Sequence, residues 1–321
     1  MPEDKRPIPA PAHPTERRAP LPWTSPKPAE EDPDAPRRVE AILHSPTYIQ
    51  ADQDVGFLNL PATRGVRLQL DYEKAELHMH RHGVVNTIVV FGSTRIREPA
   101  AALREVQRLR DALGERPEDT ALAQRLVVAE RLLAKSQYYE VARRFGHLVA
   151  QSGAGPQDPR LVVMTGGGPG IMEAANRGAF DAGARTIGLN ITLPHEQFPN
   201  PYITPDLCFR FHYFAIRKLH FLLRAKALVV FPGGYGTLDE LFETLTLVQT
   251  RKIRPVPVVL VSEAYWKRVF DVDFLVEEGT IDPEDRELFW YAETAEEIWE
   301  GILAWYDRAG KPLINHGPKQ G

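Results

Sequence analysis

A doubly wound α/β fold is predicted by three features of this 321-residue chain. Short apolar runs recur at 86–91, 161–165, 186–190, 227–230 and 257–261, each bounded by turn residues. Between them lie stretches with the apolar spacing of helices. Two runs feed directly into glycine-rich turns, Gly166-Gly167-Gly168-Pro169-Gly170 and Pro232-Gly233-Gly234-Tyr235-Gly236, ahead of a helical stretch. Strands that are apolar on both sides and alternate with helices belong to a parallel sheet covered on both faces.

Composition agrees with one substantial core: 43% of residues are hydrophobic and 26% charged. The formal charge is −4, from 39 basic and 43 acidic residues, so no basic excess marks a nucleic-acid binder. Any small anion must be held locally. The single cysteine excludes an intramolecular disulfide and suits a reducing compartment. No apolar run approaches the roughly 20 residues of a membrane span, and the basic-then-apolar order of a signal peptide is missing. A soluble cytoplasmic protein without membrane contact is expected.

Taken in order, residues 1–38 hold eleven prolines among charges of both signs, a composition that builds no core and predicts a disordered or polyproline II tail. Residues 39–81 scatter their apolar positions without a clear period, and an irregular N-terminal extension, reaching to residue 85 and packed on the main domain, is expected. The main domain spans 86–321. Its first strand, 86–91, runs into the polar turn Gly92-Ser93-Thr94-Arg95. Residues 98–149, rich in Ala, Leu, Arg and Glu, predict a helical insertion of two helices with a break near 114–117. A helix follows Gly170 to about residue 182. The proline-rich stretch 193–202 reads as a loop able to lie over a ligand. Helices are predicted at 211–224, from the second glycine turn to about 250, at 264–276 and at 295–307.

The glycine turns carry the chemistry. Backbone N–H groups at a strand–turn–helix junction, aided by the helix dipole, favour an anion such as phosphate. The first turn does not fit the dinucleotide pattern G-x-G-x-x-G, because Ile171 stands where the third glycine would fall, and the following strand ends in Asn190 where an acidic ribose ligand belongs. Neither turn has the Gly-Lys-Ser/Thr ending of a P-loop. Two phosphate-friendly turns without a metal or pyrophosphate signature point to a mononucleotide. Thr237 and Glu240 admit two readings: Thr-x-x-Glu at a helix start is the spacing of a capping box, or Glu240 is a carboxylate with chemistry to do beside the anion. His78, His80 and His82 alternate, which on a strand would gather three imidazoles on one face as for a metal; the other reading is a solvated polar stretch. Cys208 reads as buried and inert.

Pro232-Gly233-Gly234-Tyr235-Gly236-Thr237-Leu238-Asp239-Glu240 fits the PGGxGTxxE motif of the LOG ("Lonely Guy") family, phosphoribohydrolases that act on cytokinin riboside 5′-monophosphates. Arg217-Lys218 resembles that family's upstream Arg-Lys pair, and 166–173 resembles its first glycine loop, so the resemblance runs from about 86 to 306. It implies a Rossmann-like fold and hydrolysis of the N-glycosidic bond of a nucleoside 5′-monophosphate, AMP or an N6-modified AMP, to free base and ribose 5-phosphate. It implies catalytic roles for Glu240 and Arg217. Ser93, Gly167, Gly168, Gly170, Lys218, Gly233, Gly234, Gly236 and Thr237 would hold ribose and phosphate. No cofactor or metal is called for, and family members place active sites at a dimer interface, which implies a homodimer or larger homo-oligomer. The rival reading is a non-catalytic carrier of a nucleotide or of molybdenum cofactor on the same fold. Some relatives carry a lysine decarboxylase label, but nothing in the chain argues for pyridoxal phosphate.

Overall fold

The computed structural model describes residues 8–22, 24–194 and 198–314. The chain divides into two compact units, 1–67 and 68–321. In the first, residues 8–22 and 24–34 form no helix or strand; α1 (Ala35–Leu43) and the single turn α2 (Val55–Leu58) follow, and α3 (Arg64–Arg81) crosses into the second unit. Asp54 caps α2 by accepting the Phe57 N–H at 2.9 Å, and the Thr63 hydroxyl donates to the carbonyls of Leu58 and Leu60 at 2.8 and 2.9 Å. The irregular structure expected over 39–81 is therefore corrected to helices. Within α3 only Ala75 and Met79, four residues apart, are buried, whereas Leu70 and Leu77 face solvent, and that mixture hid the period. His78 and His80 lie on this helix, where residues two apart point to different sides, so no three-imidazole face forms. No cluster of His, Cys, Asp and Glu suited to a metal occurs among the described residues.

The second unit is built on seven strands: β1 (Asn86–Phe91), β2 (Leu161–Thr165), β3 (Thr186–Ile191), β4 (Cys208–Phe211), β5 (Ala225–Val230), β6 (Val258–Val261) and β7 (Trp290–Ala292). Their order is β4-β3-β2-β1-β5-β6-β7, and every neighbouring pair is parallel. The connecting helices are α4 (Pro99–Glu115), α5 (Thr120–Lys135), α6 (Gln137–Ala150), α7 (Ile171–Asp181), α8 (Phe214–Leu223), α9 (Tyr235–Gln249), α10 (Glu263–Val269), α11 (Val272–Glu277) and α12 (Ala295–Arg308). Successive strand residues serve opposite faces: Ile88 and Val90 join α6, α7 and α12 in one core, and Val89 and Phe91 join α3, α8, α9 and α10 in the other. Both faces are thus covered, as a doubly wound sheet requires.

The edge strands β4 and β7 were not read from the sequence. They are three or four residues long, and β4 ends on Phe211, the first residue of the expected helix, which begins three residues later at Phe214. The helix expected at 264–276 is two, separated at Phe270-Asp271, where Asp271 accepts the N–H groups of Asp273 and Phe274. The stretch 98–149 is three helices. Tyr139, Ala142, Phe145 and Val149 of α6 belong to the sheet's core, whereas α4 and α5 pack on each other through Val106, Leu109, Leu122 and Ala129. Only that hairpin stands apart.

α6 and α7 approach backbone to backbone. A Cβ on Gly146 would strike the Ala175 carbonyl, and one on Gly178 the Arg143 carbonyl. Gly178→Ala must therefore push two core helices apart and should destabilise the protein by about 1–3 kcal/mol, read as a lowered urea midpoint at unchanged m-value. A neutral outcome would mean that the two helices are not in close contact.

Candidate functional site

The chain leaves β1 for β2 on one side of the sheet and returns as β5 on the other, so the carboxyl ends of β1 and β5 border the crevice where such sheets bind ligands. The turns after them are stitched together: the Ser93 N–H donates to the Pro232 carbonyl at 2.9 Å, and the Ser93 carbonyl accepts the Ile171 N–H at 3.2 Å. A cavity of about 780 Å³ opens above them.

One wall is the start of α9. Its N-cap is Gly234, with no side-chain cap, and the N–H groups of Thr237 and Leu238 both turn back to the Gly234 carbonyl at 2.9 and 3.0 Å. Thr237 is thus the third residue of the helix rather than its cap, which removes the capping-box reading of Thr237 and Glu240. The Tyr235 and Gly236 N–H groups belong to the first turn and have no intrahelical acceptor. Space above the Cα atoms of Gly234 and Gly236 is open, whereas a Cβ on Gly233 would collide with the Thr237 side chain. The Tyr265 hydroxyl donates to the Gly233 carbonyl at 2.6 Å and pins the turn.

Arg217 approaches from α8, which is held at both ends. At its start the Asp71 carboxylate accepts the N–H groups of His212 and Tyr213, each at 2.8 Å, and at its end the Arg224 guanidinium pairs with Glu76. The Arg217 Nε donates to the Leu189 carbonyl at 2.6 Å and the guanidinium lies 5.1 Å from the Phe221 ring centroid. A side chain at Gly166 would occupy the guanidinium's place. Burial lowers the Arg217 pKa, and Glu240 opposes that shift. Glu240 itself is 5% exposed. Burial pushes its carboxyl up to about 7, against the pull of Lys218 and Arg217. Among the described residues its carboxylate makes no hydrogen bond or ion pair, so the neighbouring cations act on it through space.

Ser93, Arg217, Gly233, Gly234, Gly236, Thr237 and Glu240 all line the cavity. Lys218 does not; its ammonium bridges Asp239 and Glu243, each at 2.9 Å, and ties α8 to α9. Adjacent residues on a helix point about 100° apart, and here Arg217 faces the cavity while Lys218 turns to α9. Gly167, Gly168 and Gly170 also stand behind the lining. The Gly167 and Gly168 carbonyls accept the Asn200 backbone and side-chain N–H at 2.9 and 3.1 Å, and Gly170, at φ 73°, lets the backbone pass close to Ser93 and Thr94. Gly167, Gly168 and Gly170 are thus engaged in packing contacts, and among the described residues of the loop at 193–202 it is Leu193 that lines the cavity. The sequence reading missed Arg95, Arg131, Lys135, Met172 and Tyr265, which also line it. Arg131 and Lys135 come from α5, and no local motif announces where a helical hairpin docks.

A family model described as "Possible lysine decarboxylase" matches residues 172–302, a span that includes Arg217 and the second glycine turn. Relatives include a probable cytokinin riboside 5′-monophosphate phosphoribohydrolase, LOGL3, of Oryza sativa subsp. japonica, 28% identical over 47% of this chain and 74% of that protein. The cytokinin riboside 5′-monophosphate phosphoribohydrolase LOG3 of Arabidopsis thaliana is 31% identical over 43% of this chain and 64% of its own length. The chain is thus similar to LOG phosphoribohydrolases over somewhat less than half of its length. A molybdenum cofactor binding protein from Rippkaea orientalis is similar in structure at a TM-score of 0.37 and 22% identity, over 52% of this chain and 87% of that one. The LOG motif residues that converge on the cavity are those of the second glycine turn, with Arg217 and Glu240.

The Glu240 environment has a consequence for folding that needs no substrate. Its folded pKa lies above the ordinary 4.5, so neutral Glu240 is favoured in the folded state, and stability is lost as pH rises from about 4.5 to about 7, with no further loss above. Glu240→Gln removes that charge. The variant should gain up to roughly 3 kcal/mol over the parent at pH 8, the gap closing by about pH 4. Urea melts at the two pH values check this, and a parent as stable as the variant at pH 8 would mean a solvated carboxylate.

Proposed function

We propose that the cavity binds a nucleoside 5′-monophosphate and that Glu240 and Arg217 promote hydrolysis of its N-glycosidic bond, releasing free base and ribose 5-phosphate. The observation that carries this reading is a desolvated carboxylate with its pKa near 7, free of hydrogen bonds, on the wall of a cavity whose floor is a helix start suited to phosphate. Cleavage of that bond places positive charge on the ribose, and a carboxylate in a low-dielectric site stabilises it while orienting or deprotonating water. With the phosphate on the N–H groups of Tyr235 and Gly236, Thr237 and Ser93 are placed as further donors. Arg217 holds the ionised form of Glu240 accessible near neutral pH. A protein that only carried a nucleotide would gain nothing from a buried, unpaired carboxylate beside an anion, since the like charge weakens binding.

The names of the relatives support the substrate class, and AMP or an N6-modified AMP, as in cytokinin activation, is the proposed substrate. We place the protein in the cytoplasm, in keeping with its free, half-buried Cys208, whose thiol burial raises in pKa; no helix among the described residues is long and apolar enough to cross a membrane. A homodimer is part of the reading, with the apolar groups that α8 and α9 leave exposed, Phe214, Leu219, Leu223 and Phe242, as the natural contact.

Chromatographic assay of adenine released from AMP tests the reaction. Glu240→Gln should lower turnover at least roughly a hundredfold while AMP binding persists. Adenosine, lacking the charge-assisted phosphate contacts of about 1.5–3 kcal/mol each, should be a poorer substrate by orders of magnitude. Thr237→Ala should cut efficiency on AMP more than on adenosine. Near-parental turnover by Glu240→Gln, or equal efficiency on AMP and adenosine, would sink the assignment.

A further inference from the structure

Two neighbours, one on either side of the second glycine turn, fix the direction of its peptides. The sheet order sets β5 between β1 and β6. On the β1 side the Pro232 carbonyl accepts the Ser93 N–H at 2.9 Å. The next carbonyl, that of Gly233, turns the other way and accepts the Tyr265 hydroxyl of α10, the helix that follows β6, at 2.6 Å. In a trans peptide the N–H points opposite to the C=O, so the Gly234 N–H is directed back toward the β1 turn, where Ser93 lines the cavity. Among the described residues that N–H donates to nothing. It stands next to the N–H groups of Tyr235 and Gly236 at the head of α9.

Glycine on both sides of this peptide leaves its orientation a weak preference of the backbone alone. A flip would carry φ at Gly234 from −96° to the left-handed side, which costs glycine little and other residues more. The flipped peptide would set a carbonyl oxygen where an anion is to bind. The flanking carbonyls do not prevent this, since Pro232 is bonded to Ser93 and Gly234 accepts from Thr237 and Leu238 independently of it. Tyr265 is the group that opposes the flip. Burial raises the phenol's pKa, so its proton stays in place to be donated. The helix that carries it is firmly seated: Trp266 is fully buried, and the Ser262 carbonyl accepts the N–H groups of Tyr265 and Trp266 at 3.0 and 3.1 Å. Ser262 itself holds φ 77°, a left-handed conformation that serine rarely adopts, and so starts α10 directly from the end of β6. Such strain persists where the surrounding structure imposes it, and it collects at functional sites.

We propose that Tyr265 is a positioning residue for the anion site: its bond to the Gly233 carbonyl keeps the Gly234 N–H turned into the cavity as a third backbone donor to the 5′-phosphate. This rests on the nucleotide reading of the cavity. The effect passes through one peptide, so Tyr265 grades substrates by their phosphate rather than by their base.

Adenine release from AMP and from adenosine by the full-length protein and its Tyr265→Phe variant tests this. Phenylalanine keeps the ring and removes the donor. The ratio of kcat/KM on AMP to that on adenosine should fall at least roughly tenfold, the size of a charge-assisted contact, with the loss on AMP carried by KM. The inhibition constant of inorganic phosphate should rise by a similar factor. A merely structural Tyr265 would lower the melting temperature and slow both substrates alike; an unchanged ratio overturns the proposal and leaves the monophosphate reading in place. A second comparison isolates the peptide. In a Gly234→Ala background, where a positive φ is disfavoured, Tyr265→Phe should reduce the ratio by no more than about threefold. The same loss in both backgrounds would mean that no flip is involved, and overturns it too. A parent that releases no adenine, or releases it equally well from AMP and adenosine, removes the nucleotide reading, and this one with it.

Discussion

The site depends on keeping one carboxylate out of water. Glu240 is buried without a hydrogen-bonding partner among the described residues, which costs folding free energy whenever it is ionised. That position is tenable because Arg217 and Lys218 bring positive charge close without quenching it in a direct pair. Each cation is committed elsewhere, Arg217 by Nε to the Leu189 carbonyl and Lys218 to Asp239 and Glu243. Such an arrangement survives only if the two helices cannot slide. Asp71 and Glu76, both from α3, fix the two ends of α8, and the Tyr265 hydroxyl fixes the turn into α9. Rigidity far from the carboxylate thus sets its pKa.

The switch in strand order explains why the glycine turns play unequal parts. Beyond β1 the chain turns to one side, and α7 starts there with its first N–H already given to the Ser93 carbonyl. Its glycines serve close packing against Asn200, Ser93 and Thr94. The turn after β5 starts a helix without a side-chain cap, with open space beside the Cα atoms of Gly234 and Gly236. Similar sequences therefore divide into a joint and a wall of the cavity. What separates them is the neighbour that each packs against.

Much of this was legible in the sequence. The central strands announced themselves because both faces are buried, which leaves a continuous run of Val, Ile and Leu. The edge strands β4 and β7 did not, since Arg210 interrupts one and the other is three residues long. The second glycine turn, Arg217 and Glu240 were found and do meet in space. Lys218 was given a ligand contact by its resemblance to the family's Arg-Lys pair, whereas in the fold it lies outside the cavity lining and bridges Asp239 and Glu243. Gly167, Gly168 and Gly170 were grouped with the binding floor on pattern alone. The choice between cap and acid for Glu240 could not be made from Thr-x-x-Glu spacing; it turned on which residue starts the helix, and Gly234 does.

The cations of α5 mark the boundary of what sequence can tell. Their helix packs on α4 through Leu122 and Ala129 against Val106 and Leu109, a small core that shares no residue with those of the sheet. Surface charge on such a helix reads as solubility, because nothing local fixes the direction in which the hairpin leans. Docked, the helix turns Val128, Arg131, Leu132 and Lys135 into one wall of the cavity. The carboxylate, the glycine floor and Arg217 hang from the sheet and its helices, which tolerate little change in packing. The hairpin has its own core and meets that of the sheet through Leu132, so its exposed residues, Arg131 among them, can vary without disturbing Arg217 and Glu240.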